Sequence, residues 1–115
     1  MGIALDILEG FVPMDGLQPG APTETNASGG SQSKTAFRFD DMDGKAMLEL
    51  AKIFKHGHDK YGKDNWRKIP VEDHINHALM HIYAYMSGDT QDDHIGHAHA
   101  RMHFAHALVL EERDD

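Results

Sequence analysis

Residues 71–112 decide the fold of this chain, and they read VEDHINHALMHIYAYMSGDTQDDHIGHAHARMHFAHALVLEE. Apolar residues recur there at steps of three and four, which is the period of an amphipathic α-helix. Pro70 suits the first turn of a helix, and Ser87-Gly88 suits its end. We therefore predict one helix over residues 71–86. A second helix, capped by Thr90 with Asp93 three residues later, is predicted to run to about residue 112.

The residues before this stretch predict one more helix. Residues 44–58 (GKAMLELAKIFKHGH) place Leu50, Ile53 and Phe54 on one side, and Asp41 or Asp43 is a natural N-cap. Strand signals are essentially missing. The predicted fold class is therefore all-α, a small helical bundle with three main helices after a disordered N-terminal arm.

The first third of the chain has a different composition. Residues 13–35 are dense in Gly, Pro, Ser and Thr, with too little apolar surface to offset the entropy of ordering. We predict a flexible arm over residues 1–36 and a helical domain over residues 37–115. Because so short a domain builds a small core, we also expect a homo-oligomer that buries an apolar face.

Charge and residue usage exclude several classes of protein. With 11 Lys plus Arg against 19 Asp plus Glu, the net charge is −8, so duplex nucleic acid is not an expected partner. The absence of cysteine excludes disulfide scaffolds and Cys-based zinc sites. No membrane span or signal peptide is evident, so we expect a soluble cytoplasmic protein without a membrane partner.

Histidine is the unusual residue of this chain, with ten copies at helical spacings between residues 56 and 106. If the apolar stripes of the last two helices pack together, their polar stripes meet in one groove, and helical bundles commonly build metal sites in this way. His56 and His94 lie off these stripes and are expected to face solvent. The groove candidates are Glu49, His77, His81, Asp92, Asp93, His97, His99 and His103.

A divalent cation in this groove would polarise a phosphoryl oxygen and activate water. We assign Glu49, Asp92, Asp93 and His97 as metal ligands. His77 and His81 are assigned as catalytic residues, because imidazole serves either as a ligand or in proton transfer near neutral pH. Each of these histidines also has a plain structural interpretation as a hydrogen-bonded or exposed side chain.

A second group of candidate residues follows the first predicted helix. A cation, an amide and two aromatic rings within one loop suit phosphate neutralisation, hydrogen bonding to a base edge and stacking. The alternative is that the aromatic rings plug the end of the bundle. Two arginines elsewhere are further candidates for phosphate contact. The predicted substrate-binding residues are Arg38, Lys60, Tyr61, Asn65, Trp66 and Arg101.

Residues 37–112 resemble the small phage and bacterial proteins classed as dATP/dGTP diphosphohydrolases, which are related to the all-α nucleotide pyrophosphatases. The most specific element is Lys60-Tyr61-Gly62-Lys63-Asp64-Asn65-Trp66. The resemblance implies a helical domain that releases pyrophosphate from purine deoxynucleoside triphosphates with Mg²⁺ or Mn²⁺, in preference to Zn²⁺. It also implies the host cytoplasm if the protein is phage-encoded. The other elements are Arg38-Phe39-Asp40, Glu49, Gly57, His77, His81, Tyr85, Gly88-Asp89, Asp92-Asp93 and Gly96-His97-Ala98-His99.

Three functional hypotheses follow. The first is a metal-dependent nucleotide diphosphohydrolase with a small-molecule nucleotide as its substrate. The alternative is a non-catalytic protein whose histidines bind Zn²⁺ or Ni²⁺ structurally or line a helical interface. A third is an HD-type phosphohydrolase, suggested by the dipeptide His58-Asp59. Base preference and metal identity stay open at this point.

Overall fold

The structure is a computed structural model that describes residues 22–34 and 37–114. The chain folds as two compact units, and residues 43–112 form the larger one, which carries the helices. Within the described ranges, no helix is both long and apolar enough to cross a bilayer. Most of the predicted flexible arm, residues 1–21 and 35–36, lies outside the described residues.

The smaller unit contains a two-stranded antiparallel hairpin, β1 (Thr23–Thr25) and β2 (Ser31–Ser33). The Asn26 side chain accepts hydrogen bonds from the backbone N–H groups of Ser28 and Gly30, both at 2.9 Å, and so closes the turn. The sequence predicted no strands. The difference arises because a polar turn holds this hairpin, whereas strand prediction depends on apolar alternation.

Three helices make up the larger unit and confirm the predicted all-α class: α1 (Gly44–Tyr61), α2 (Val71–Met86) and α3 (His94–Asp114). Helix α2 has the predicted bounds. Helix α1 continues to Tyr61 instead of His58, because it ends only at Gly62, whose φ of 94° suits glycine and whose N–H bonds to the carbonyl of His58 at 2.9 Å. A 3-10 turn, Asn65–Lys68, joins α1 to α2.

The start of α3 differs from the prediction. Thr90 does not cap it; the carboxylate of Asp93 accepts the N–H of Gly96 at 3.0 Å and takes the N-cap position. Gly96 matters here, since a Cβ at that position would lie 2.2 Å from Asp93 Oδ2. The predicted Thr90 cap is therefore wrong, and the helix begins at His94.

Replacing Asp93 tests this cap. We expect Asp93→Ala to lower the free energy of unfolding by about 1 kcal/mol, because the Gly96 N–H loses its acceptor. Asp93→Asn retains an acceptor oxygen and is expected to stay within about 0.5 kcal/mol of the wild type. Urea unfolding followed by circular dichroism measures both changes, and equal losses in the two variants would contradict the capping role.

Helix α2 turns inward only part of the apolar stripe that its sequence pattern predicts, which consists of Ile75, Ala78, Leu79, Ile82, Tyr83 and Met86. His74 has 0% exposure and Ala78 lies beside it on the buried face, one helical turn along. Tyr83 and Met86, at 63% and 74% exposure, instead belong to the exposed face with Ile75 and Leu79. The prediction that the apolar stripes of α2 and α3 pack against each other is wrong for these residues.

The core of the larger unit is correspondingly small. Apart from Leu50, its buried apolar residues within the described chain are alanines, namely Ala78, Ala98, Ala100 and Ala105. Aromatic stacking supplements it: Phe104 lies between Phe54 and Trp66, with ring centroids 5.0 and 4.7 Å away. These rings tie α1, the 3-10 turn and α3 together.

Candidate functional site

A cluster of metal-binding side chains forms where α2 ends and α3 begins. His81 comes from α2, Asp92 from the connection and His94 from the first position of α3. One ligand atom from each lies within 4.8 Å of the others. Across residues 22–34 and 37–113, no other group of three such side chains meets this condition. We call these three residues the His-Asp-His cluster.

His94 is the central member of the cluster. Its Nδ1 lies 2.9 Å from Nδ1 of His81, and its Nε2 lies 2.5 Å from a carboxylate oxygen of Asp89. Histidines that bind metals usually donate the N–H of their second ring nitrogen to a group such as a carboxylate, because this hydrogen bond fixes the orientation of the ring. The hydrogen bond from His94 holds the pKa of Asp89 below its usual range.

The expectation that His94 faces solvent is wrong. Its side chain is only 10% exposed. The reason is its position at the first turn of α3, from which it reaches back to Asp89 in the connection. His56, the other histidine expected to face solvent, is indeed exposed.

His97 adds a further imidazole to the cluster. Its ring stacks on that of His81, with centroids 5.2 Å apart, and its Nε2 lies 3.3 Å from Asp92 Oδ1. Burial, followed by the neighbouring His97 and His94 rings, lowers the pKa of His81. His81 is therefore neutral at physiological pH and keeps a lone pair for a cation.

The fully buried His74 and the half-buried His81 make the stability of the fold depend on pH. Burial lowers the pKa values of His74 and His81 below 6.5, so the folded chain binds fewer protons than the unfolded chain in this range. Their contribution is fully present above pH 6.5 and is lost as the pH falls below it. We expect the melting temperature, measured by calorimetry with a chelator present, to fall between pH 7.5 and 5.5. An unchanged melting temperature would contradict neutral burial of these rings.

The structure spreads the predicted metal ligands over several places. Asp92 and His97 lie at the cluster together with His81, which was predicted to be catalytic. Asp93 caps α3, and the exposed Glu49 lies 3.9 Å from the ammonium of Lys52. His77 is exposed on α2. The roles of Glu49, Asp93 and His77 in binding or catalysis stay predictions.

Two residues of the site were missed by sequence reasoning. Asp89 and His94 are five positions apart and meet only because the chain turns between them. The available signal was the run Gly88-Asp89-Thr90-Gln91-Asp92-Asp93-His94, which puts three carboxylates and an imidazole into one short connection. Helical periodicity carries no information about contacts inside such a connection.

The predicted base-binding loop is built around Trp66. Phe104 stacks on this ring with an interplanar angle of 11°, and the Arg67 guanidinium lies over the ring at 4.4 Å from its centroid. The two groups cannot share one face, so both faces of the indole are covered. A base could stack on Trp66 only if Arg67 moved away, and the substrate-binding roles of Trp66 and Asn65 stay predictions.

The predicted phosphate contacts lie in different surroundings. The ammonium of Lys60 lies 5.2 Å from the ring centroid of Tyr61 at the exposed end of α1. Arg101 lies on α3 with a guanidinium nitrogen 3.2 Å from Nδ1 of His74. Arg38 belongs to the smaller unit, where it pairs with Asp40 at 2.9 Å.

Comparison with protein-family models matches residues 26–115 to the family described as dATP/dGTP diphosphohydrolase, N-terminal. The chain belongs to this family. The match contains all three helices and the His-Asp-His cluster, and it confirms the resemblance drawn from the sequence. The description names the N-terminal part of a diphosphohydrolase, which makes hydrolysis of dATP or dGTP the reaction to consider. Comparison with curated proteins gives no match, and neither does comparison with solved structures.

Proposed function

We propose that the chain is a metal-dependent nucleotide diphosphohydrolase that converts a purine deoxynucleoside triphosphate and water into the monophosphate and pyrophosphate. Membership of the dATP/dGTP diphosphohydrolase N-terminal family supports the reaction class. The observation that carries the proposal is the His-Asp-His cluster, a partly buried set of two imidazoles and a carboxylate at one point of the fold. Such chemistry depends on charge neutralisation and a positioned water.

The donor set of the cluster discriminates among cations. Two imidazoles and one carboxylate suit Mn²⁺ or Zn²⁺ better than Mg²⁺, which prefers oxygen ligands and keeps several waters. We therefore propose Mn²⁺, held by His81, Asp92 and His94. Bound there, it would polarise a phosphoryl oxygen and lower the pKa of a water molecule.

Three residues outside the His-Asp-His cluster, Asp89, His97 and Lys60, have separate roles in the proposed reaction. Asp89 accepts the Nε2–H of His94 and so directs Nδ1 of this ring towards His81 and the centre of the cluster. His97 lies against both His81 and Asp92, where it can accept a proton from a water at the cluster. Lys60 supplies an exposed positive charge for the polyphosphate.

The direct test is a product assay on the purified chain. Four dNTPs are incubated with Mn²⁺, Mg²⁺, Zn²⁺ or a chelator, and the phosphorus products are identified by ³¹P NMR. We expect pyrophosphate and monophosphate from dATP or dGTP, most rapidly with Mn²⁺. Asp92→Asn should remove most of this activity, whereas Glu72→Gln, which neutralises an exposed carboxylate on α2, should retain it.

The other outcomes of the assay separate the remaining hypotheses. Tight Zn²⁺ binding without turnover of any dNTP would support the non-catalytic metal-binding alternative, which the same cluster favours because imidazole suits zinc. Release of triphosphate or orthophosphate instead of pyrophosphate would overturn the diphosphohydrolase assignment.

We also propose that a second copy of the chain covers the exposed face of α2. Ile75, Leu79, Tyr83 and Met86 recur at three and four residues and form one continuous apolar stripe on this face. An apolar stripe of this length on a unit with a core made mainly of alanines indicates an interface. Two copies related by a twofold axis would bury the same stripe on both sides.

A further inference from the structure

Arg101 and His74 form a buried polar contact between α3 and α2. His74 is fully buried, its Nε2 lies 3.0 Å from the backbone carbonyl of Trp66, and its Nδ1 lies 3.2 Å from a guanidinium nitrogen of Arg101. Since the carbonyl can only accept, Nε2 carries the proton and Nδ1 accepts from Arg101. Both ring nitrogens are satisfied by the neutral form of His74.

The charge of Arg101 has no acidic partner at this contact. Within the described side chains, no carboxylate lies at salt-bridge distance from Arg101, whereas Arg38 pairs with Asp40 and Arg67 pairs with Asp64 and Glu111. Arg101 is half-buried, and burial lowers its pKa. Holding a partly desolvated guanidinium against a neutral ring costs free energy unless an anion also contacts the guanidinium.

We infer that Arg101 is a phosphate-binding residue for the polyphosphate of the nucleotide and that His74 is the positioning residue that holds its guanidinium. This inference rests on the proposed function for the identity of the ligand. Guanidinium groups bind phosphate oxygens through paired N–H donors, and orientation decides how well they do so. His74 uses only part of the donor set of Arg101 and leaves the other N–H groups for the ligand.

The position of this pair relative to the His-Asp-His cluster fits one extended ligand. His74 and His81 are seven positions apart on α2, and His94 and Arg101 are seven positions apart on α3. In helical geometry this is a shift of about 10 Å along each axis, with both pairs on the α2–α3 interface. A nucleotide bound to a cation at the cluster would therefore lie within reach of Arg101.

The test separates binding from turnover. Isothermal titration measures the affinity of the full chain for inorganic pyrophosphate with a chelator present, and a parallel assay measures dATP hydrolysis with Mn²⁺. We expect Arg101→Gln to weaken pyrophosphate binding at least about 10-fold, which corresponds to about 1.4 kcal/mol, because one charged hydrogen-bonded contact is lost. Lys55→Gln removes the same charge at an exposed position on α1 and should leave the affinity unchanged.

Two substitutions of His74 separate positioning from packing. In His74→Asn the amide oxygen can take the place of Nδ1 and accept from Arg101, while in His74→Gln the amide nitrogen can take the place of Nε2 and donate to Trp66. Both should lower the melting temperature. We expect binding close to wild type in the Asn variant and a loss like that of Arg101→Gln in the Gln variant.

The outcomes are distinct for the two proposals. Equal pyrophosphate affinity in wild type and Arg101→Gln, or no binding by the wild type, overturns the phosphate site whether or not dATP is hydrolysed. Equal affinity in the two folded His74 variants overturns the positioning role. A chain that binds pyrophosphate through Arg101 but hydrolyses no dNTP supports the phosphate site and overturns the proposed function alone.

Discussion

Replacing His94 with asparagine is expected to lower both Mn²⁺ affinity and the rate of dATP hydrolysis by at least about 100-fold. Loss of an outer partner of a metal ligand costs about 10- to 100-fold, so loss of a ligand itself should cost at least the upper value. Mn²⁺ affinity is measured by electron paramagnetic resonance of the free ion and hydrolysis by pyrophosphate release. Asp89→Asn weakens the hydrogen bond that orients His94. Its Mn²⁺ affinity and hydrolysis rate should therefore lie between those of His94→Asn and those of the wild type.

His56→Asn is the matched control for this prediction. The same substitution at an exposed histidine on α1 leaves the His-Asp-His cluster intact and should change neither quantity. If His94→Asn binds Mn²⁺ and turns over dATP as the control does, the metal centre lies elsewhere. Glu49 and Asp93, the carboxylates singled out by the sequence, would then be the next positions to test.

Charged substitution of the exposed stripe on α2 is expected to halve the mass of the protein in solution. The double variant Leu79→Glu and Tyr83→Glu puts two carboxylates where a second copy would bring two more, so the interface is lost by desolvation and repulsion. Size-exclusion chromatography with light scattering measures the mass. The melting temperature should also lose its dependence on protein concentration.

Leu48→Glu provides the control for this assembly. Leu48 is 73% exposed on α1, outside the α2 stripe, so its replacement adds charge and removes apolar surface without touching the proposed interface. We expect this variant to keep the mass of the wild type. A wild-type chain that is monomeric at 100 μM protein would contradict the proposed interface.

Helix positions could be predicted from the sequence, but helix orientation could not. The bounds of α2 follow from Pro70 and from Ser87-Gly88, which act locally on the backbone. The stripe of Leu79 and Tyr83 is the more apolar, yet it is exposed in the structure. The hydrophobic pattern shows that a helix has an apolar face, but it does not show which face the helix turns towards its own core.

The site residues also divide into those that residue type and helical spacing predict and those that only the path of the chain brings together. Residue type and helical spacing singled out Asp92 as a predicted metal ligand and His81 as a predicted catalytic residue, and the structure brings both into the His-Asp-His cluster. Asp89 was missed because its contact with His94 depends on the path of the connection. His74 is the clearest case: a histidine with no exposure is explained only by partners on two other elements, the 3-10 turn and α3, which no spacing rule brings together.

The buried alanines have a mechanical consequence. Ala78 lies between His74 and His81 on α2, and Ala98 lies between His94 and Arg101 on α3, so the smallest side chains occupy the interface between its two polar contacts. Helix separation depends on side-chain size at the contact. A leucine at either position would act as a wedge that lengthens both contacts at once. These two alanines therefore set one helix separation for both polar contacts. A substitution that changes the distance between His81 and His94 also changes the distance between His74 and Arg101.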